Sequence, residues 1–315
     1  MPPVPAPDAL AEHRRNTELL QAELPDRRFV DHRYLAWLYD ENPHGAAFTE
    51  SADDGGRRVA HYGLVPQEYR DASGPAPFVF SLNAVTRSGI QRKGYFTTLG
   101  RAVYASAQEA GVRVVVGVSN ENSTPPVVQK LGWRLYCPLP VKVLVPLRRR
   151  AGWTSRSIDD ELLASGWFAE VAAGLDDHAA EGWTNRYTLE HLRWRLASPN
   201  NPGFALHVGP DLVAISTRAK AGPLPLSVVL KLLPRGGDHP GPTDGAAAVA
   251  AACRHHRTPA AIYAGWNRWV HLRGLAPPRR LLPSPLNLIV KSLDPAIDQD
   301  ELVLDTFEFL DMDAY

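Results

Sequence analysis

The stretch SGIQRKGYFTTLG, residues 88–100, decides how the chain is read. An apolar run with strand character, FVFSLNAVTR (78–87), precedes it. TTLGRAVYASAQEAG (97–111) follows, with Leu99, Val103 and Ala107 at helical spacing. A loop passing from a strand end into a helix start leaves several backbone N–H groups unpaired and pointing outward, where the helix dipole favours an anion. Gly94 lets a ligand approach the backbone, and Arg92 and Lys93 add positive charge from the side. The loop has neither the GxxxxGK[ST] pattern of a P-loop nor the GxGxxG pattern of a dinucleotide fold. Taken alone it reads as a turn or as a phosphate seat, and its surroundings must decide.

Outward from this loop, the two halves of the chain carry the same signals in the same order. RYLAWLYDENPHGAAF (33–48) and YTLEHLRWRLASPNNPGF (187–204) each run from a Trp-bearing helix (Trp37, Trp194) through Asn-Pro (Asn42-Pro43, Asn201-Pro202) to a glycine and a β-like segment. Downstream, RRVAHYGLV (57–65) matches DLVAIST (211–217) and FVFSLNAVTR matches LSVVLKLLPR (226–235). VRVVVGVSN (112–120) matches AAIYAGWN (260–267), and VKVLV (141–145) matches LNLIV (286–290). The length difference between the halves falls in the hairpin loops, where insertions are tolerated. These matches predict two tandem copies of one unit, residues 1–148 and 149–315, joined by PLRRRAGWTSRSIDD (146–160). Each copy reads helix, three strands with turn signals such as DDGG (53–56) and DASGPAP (71–77), then helix, strand, helix, strand. The expected class is mixed α/β, each unit a mostly antiparallel sheet flanked by helices. The closing FEFLDMDAY (307–315) is expected as a terminal strand carrying Asp311 and Asp313 on one face as an edge device.

Bulk properties narrow the function. With 315 residues the chain exceeds the size of one core. Lys+Arg and Asp+Glu are both 34, so no global basic field exists to attract nucleic acid. The 2 cysteines, Cys137 and Cys253, stand far apart, as in a reducing compartment. MPPVPAPDALAEHRR (1–15) lacks an apolar h-region and is expected to be a flexible tail, and no run is long enough to span a membrane. A cytoplasmic protein without nucleic-acid or membrane partners is expected.

The order strand, Q-R-K-G-Y-F (91–96), long helix, VRVVVGVSN, NENSTPPVVQK (120–130), LGW (131–133) and a final strand resembles the second half of the acyl-CoA-dependent N-acyltransferases of the GNAT superfamily. In that family an R/Q-x-x-G-x-G/A loop binds the CoA pyrophosphate through backbone amides. The resemblance assigns this role to Gln91, Arg92, Lys93, Gly94, Tyr95 and Phe96, with Phe96 departing at the third motif position. It places Asn120 and Asn122 against the pantetheine arm, and gives the backbone N–H groups of Asn83, Ala84 and Val85 the thioester carbonyl. Asn83 stands near where some members carry a glutamate base; an asparagine cannot be that base but can orient a water or the acceptor. The usual tyrosine acid corresponds to Val128 and is missing. His61 and Glu68 are therefore the candidates for proton transfer, with a packed strand histidine and a solvated hairpin charge as the plain alternatives. No metal is expected.

In the second copy the loop RGGDHPGPTDG (235–245) carries Asp238 and Asp244, which repel a pyrophosphate. One acyl-CoA site is expected, in the first copy, with the second copy closing the acceptor pocket. The resemblance implies acetyl or short acyl transfer from CoA to the amine of a small molecule, an amino sugar or nucleotide-linked amino sugar being the preferred class; a homodimer is allowed. The alternatives are a non-catalytic GNAT-fold binding or regulatory protein and an aminoacyl-tRNA-dependent tandem acyltransferase.

Overall fold

The structure is a computed structural model that describes residues 7–24, 31–91, 93–146, 152–176, 182–201, 203–237, 241–278 and 285–312. Arg92, Pro202, Asp238 and Asp313 lie outside the described residues. The first half runs α1 (Pro7–Glu23), α2 (His32–Asp40), β1 (Phe48–Asp54), β2 (Arg57–Asp71), β3 (Gly74–Thr86), α3 (Tyr95–Glu109), β4 (Val114–Ser119), α4 (Thr124–Leu131), β5 (Arg134–Pro138) and β6 (Val141–Leu144). The second runs β7 (Thr154–Ser157), α5 (Asp160–Ala164), α6 (Gly166–Ala173), β8 (Thr184–Asn185), α7 (Leu189–Leu196), β9 (Ala205–Val208), β10 (Leu212–Ala221) and β11 (Leu224–Pro234). It continues with β12 (Thr243–Asp244), α8 (Ala246–His256), β13 (Ala261–Asn267), β14 (Val270–His271), β15 (Asn287–Ser292), β16 (Thr306–Glu308) and a 3-10 turn, Phe309–Asp311.

From Pro7 onward the expected tail is a helix, which corrects the sequence reading. Proline is tolerated in the first turn, where its missing N–H has no partner to lose. Leu19 and Leu20 are fully buried with Tyr34, Leu35, Trp37 and Leu38 of α2, so tertiary packing holds α1. In α2, Asp31 caps the start by accepting the Arg33 N–H at 2.9 Å. The Asn-Pro signals mark matching turns. Asn42 Oδ1 accepts the His44 N–H at 3.0 Å, and Asn201 Oδ1 accepts the N–H groups of Gly203 and Phe204 at 2.9 and 2.7 Å.

Two seven-stranded mixed sheets result. The first is ordered β1-β2-β3-β4-β15-β5, with β8 beside β2; the second is β16-β13-β11-β10-β9-β7, with β6 beside β13. The matched segments 141–145 and 286–290 have thus changed places. Strand β6 of the first half closes the second sheet, antiparallel to β13, and β15 of the second half lies antiparallel between β4 and β5. A cut after residue 148 therefore does not separate the two sheets. Leu288 and Val290 bury on one face of the first sheet with Phe78, Phe80, Val114 and Val116, while Ile289 buries on the other face under α3.

The two Trp-bearing helices meet through reciprocal contacts. Trp37 Nε1 donates to the Trp194 carbonyl and Trp194 Nε1 donates to the Trp37 carbonyl, both at 3.0 Å. The rings stack with centroids 4.9 Å apart. Removing the more buried partner, Trp37→Ala, is expected to cost about 3–5 kcal/mol of stability in chemical denaturation, with one loss of structure for both halves.

Candidate active site

Strands β3 and β4 run parallel from Phe78↔Val114 to Ser81↔Gly117 and then separate. At the point of separation β3 carries a bulge. His61 pairs with Val85 and Gly63 with Leu82, so two residues, Asn83 and Ala84, face Tyr62 alone. Asn83 takes a left-handed φ of 54°, which asparagine tolerates better than most residues. Beyond the last pair, the facing edges of the two strands have no ladder partner in each other, and a cavity of about 540 Å³ opens there. Leu82, Asn83, Ala84, Phe96, Ser119 and Asn120 are among its lining residues.

Helix α3 begins at this cavity. Gly94 is its N-cap residue, with φ 86° and no side-chain cap, so the first N–H groups of the helix point outward without an intrahelical acceptor. A Cβ on Gly94 would meet nothing within 4 Å, so the position needs glycine for its dihedral and leaves open space in front. Gln91 and Lys93 are exposed on the approach, and Lys93 Nζ is 3.6 Å from Asp54. Phe96 turns inward and stacks on Tyr62 at 5.7 Å, forming the floor.

The Asn83 side chain is held by a directed hydrogen-bond chain. Its Nδ2 donates to Tyr39 Oη at 2.8 Å, and Tyr39 Oη lies 2.9 Å from His61 Nε2. His61 Nδ1 lies 2.8 Å from Ser51 Oγ, which donates to Asn16 Oδ1 at 3.4 Å; Arg58 also donates to Asn16 Oδ1. Only one proton order fits: Ser51 accepts from Nδ1–H, and the tyrosine proton goes to Nε2. His61 is thus the neutral Nδ1–H tautomer. Burial, with a smaller push from the Arg58 charge, lowers its pKa to about 3. Tyr39 reaches this place because residue 63 is glycine: a Cβ there would stand 2.9 Å from the phenol oxygen.

No family model and no curated protein matches this sequence. Solved structures do. A GCN5-related N-acetyltransferase from Anabaena variabilis superposes with TM-score 0.62 at 10% identity, over 90% of this chain and 71% of its own. Eis1 from Mycobacterium abscessus gives TM-score 0.55 at 12% identity, over 92% and 73%. Saccharomyces cerevisiae N-myristoyltransferase with bound myristoyl-CoA gives 0.51 at 8%, over 92% and 84%. The chain has the GNAT fold, in two copies.

The second GNAT unit is built alike, with acidic side chains placed in its split. Its ladder β11–β13 ends at Val229↔Tyr263, and β11 also bulges there, with Ile215 facing Lys231 and Ser216 facing Val229. In the strand match Lys231 stands where the first unit has Asn83, and Leu232 where it has Ala84. Into this split the chain inserts Glu308 and Asp311. Glu308 Oε1 accepts the Leu232 N–H at 3.2 Å, the counterpart of the Ala84 N–H. Lys231, 1% exposed, donates to both carboxylates at 2.8–3.0 Å. Asp311 is fully buried in this cluster, so the expected edge device is corrected: Thr306–Glu308 is a short buried strand paired with β13, and the carboxylate of Asp311, in the 3-10 turn after it, is an internal partner.

The predicted site residues therefore separate. Asn83, Ala84, Phe96 and Asn120 line one cavity; Gln91, Lys93, Gly94 and Tyr95 lie just before Phe96 in the chain but are not among its lining residues, and Val85 is buried behind the bulge. Asn120 spends its Oδ1 on the N–H groups of Asn122 and Ser123, shaping the turn, and Asn122 is exposed and outside the lining. His61 is 1% exposed and reaches the cavity only through Tyr39 and Asn83. Glu68 pairs with Pro77 in the ladder, far along β2 from the bulge, is held by Arg186 at 2.7 Å and lines a different cavity from Asn83. Tyr39, Tyr62, Leu286 and Met312 are the positions that sequence reading passed over; the last two come from the other half.

His61, His191 and His207 each have a pKa near 3, chiefly because burial disfavours the charged imidazolium. The unfolded chain takes up these protons as pH falls through about 6.5, and the folded chain does not until about 3. Stability is therefore present in full above about pH 6.5 and is lost below it. Urea denaturation should show a loss of about 2 kcal/mol per histidine between roughly pH 7 and 5, flattened by one such share in His207→Gln.

Proposed function

We propose that the first GNAT unit is an acyl-CoA-dependent N-acyltransferase, moving an acetyl or short acyl group to the amine of a small molecule, with an amino sugar as the preferred acceptor class. One observation carries the reading: the cavity at the bulged split of β3 and β4 is lined both by Asn83 and Ala84 of the bulge and by Phe96 of the first turn of the glycine-capped helix α3. The outward N–H groups at Gly94–Phe96 suit a pyrophosphate, which takes up both the backbone donors and the dipole of a 15-residue helix. The separated strand edge suits an extended pantetheine arm, whose amides need main-chain partners.

The Ala84 N–H suits the thioester carbonyl. In the second unit the equivalent donor is occupied by a carboxylate oxygen, an internal stand-in for such an acceptor. Asn83, with its amide nitrogen committed to Tyr39, turns its Oδ1 to the acceptor amine and directs the nitrogen lone pair. Val128 lies where the family's tyrosine acid would be, and burial raises the pKa of Tyr62, which makes it a poor proton donor for a thiolate. The acceptor then enters as the neutral amine and protons pass to solvent in the open cleft.

Calorimetric titration with acetyl-CoA and with CoA is expected to give one site per chain. Gly94→Glu should abolish it through charge and backbone strain, while Gly94→Asn, which tolerates the left-handed dihedral, should retain it. Release of CoA thiol in the presence of amino sugars separates the enzyme from a non-catalytic binder. Failure of the wild-type chain to bind at millimolar ligand would refute the reading.

A further inference from the structure

The inner end of the acyl-donor cavity carries a hydroxyl group that the reaction above leaves unused. Tyr62 and Ser81 line the cavity where the β3–β4 ladder ends, at the pair Ser81↔Gly117. Ser81 Oγ donates to Tyr62 Oη at 3.0 Å, and Trp133 Nε1 donates to Tyr104 Oη at 2.9 Å. The two phenol oxygens stand 2.6 Å apart with one proton between them. Each phenol owns a proton, so the other one needs an acceptor outside this cluster. Neither Tyr104 nor Trp133 lines the cavity, and Tyr104 is buried, where a spare proton would go unpaired. Tyr104 therefore donates to Tyr62, and the Tyr62 O–H is left for the cavity. Burial raises the pKa of Tyr62, so the phenol keeps its proton and offers it as a hydrogen bond.

The order of groups along β3 says which part of the donor meets this hydroxyl. The strand runs toward the start of α3, so Ala84 comes first and Ser81 second on the way in from Gly94. With the pyrophosphate at the helix start and the thioester carbonyl at the Ala84 N–H, the acyl group points at Tyr62 and Ser81. Three residues of strand span roughly 10 Å, and a hydrogen bond of about 3 Å at each end leaves on the order of 4 Å between the carbonyl oxygen and a second oxygen, the reach of a chain of about four carbons. Phe80, Val127 and Ile289 surround the hydroxyl pair, and none of the described residues lining the cavity is charged. A hydrocarbon chain would leave the Tyr62 O–H without an acceptor, and a carboxylate would meet no cation. A hydroxyl fits both partners, since it can accept from Tyr62 and donate to Ser81 Oγ.

We propose that the acyl donor is the CoA thioester of a short hydroxyacyl group, whose distal hydroxyl is held between Tyr62 and Ser81 at the inner end of the cavity. The inference rests on the acyltransferase reading of the first unit and names the donor within it. Tyr62 and Ser81 then set donor choice, because they pair with a group that an unsubstituted chain lacks.

Calorimetry of the full chain with CoA, butyryl-CoA, 3-hydroxybutyryl-CoA, 4-hydroxybutyryl-CoA and succinyl-CoA tests this without any acceptor amine. At least one hydroxybutyryl thioester should bind about tenfold or more tightly than butyryl-CoA, and succinyl-CoA should bind more weakly than that thioester. Tyr62→Phe should bring the affinity ratio of hydroxybutyryl to butyryl thioester to about one, and Ser81→Ala should reduce it at least about threefold. Each ratio is taken within one variant, so a general loss of affinity cannot imitate the result. Should Tyr62→Phe fail to fold, Ser81→Ala carries the decision. Butyryl-CoA as tight as both hydroxybutyryl thioesters, or a preference unchanged in the variants that fold, would overturn the inference and leave the CoA seat standing. Binding of neither CoA nor any thioester would refute the acyltransferase reading and the inference with it.

Discussion

Strand β15 is the constraint on which the rest depends. Its six residues pair with β4 along Asn287↔Ser119 to Ser292↔Val114 and with β5 on the other side. Without it β4 would be an edge strand, and β4 is one wall of the candidate active site. Leu288 and Val290, both 0% exposed, fill the face shared with Phe78 and Val116, so the burial is large and two-sided. Strand β6 returns the exchange with Leu144 in the core of the second sheet. The halves therefore form one cooperative object. The cavity of the first half is completed by Leu286, Ile289 and Met312 of the second.

The two units differ in what fills their splits. Both split a parallel pair beside a bulge, and both thereby free a main-chain N–H at the junction. In the second unit the chain returns through β16 and fills the split with Glu308, whose pKa is raised to about 7 by burial and by the neighbouring Asp311 against the pull of Lys231. A carboxylate so placed satisfies the exposed amide and displaces any external acceptor. In the first unit the corresponding amide belongs to Ala84 and opens on a cavity.

Much of this was legible in the sequence. Trp37 and Trp194, the Asn-Pro turns and the alternating strands gave the repeat because each depends on local chemistry that recurs at matched positions. Gly94 was legible because a left-handed cap needs glycine. The strand exchange was not, since VKVLV and LNLIV are equally apolar and nothing local says which sheet receives them. Helix α1 was hidden by the prolines before it and is held by distant partners such as Arg58 with Glu12. Glu68 looked available because its partner Arg186 is remote in sequence. His61 looked reactive because Tyr39, which separates it from the cavity, reaches it only through the close approach at Gly63.

The central claim is that the first split is an open acyl-donor seat and the second is filled from within. Amide hydrogen exchange of the full chain with and without acetyl-CoA tests it most directly. The account predicts new protection of residues 83–84 and 94–96 on adding ligand, with no change at 230–235. Protection confined to the second unit, or no protection in either, would contradict it.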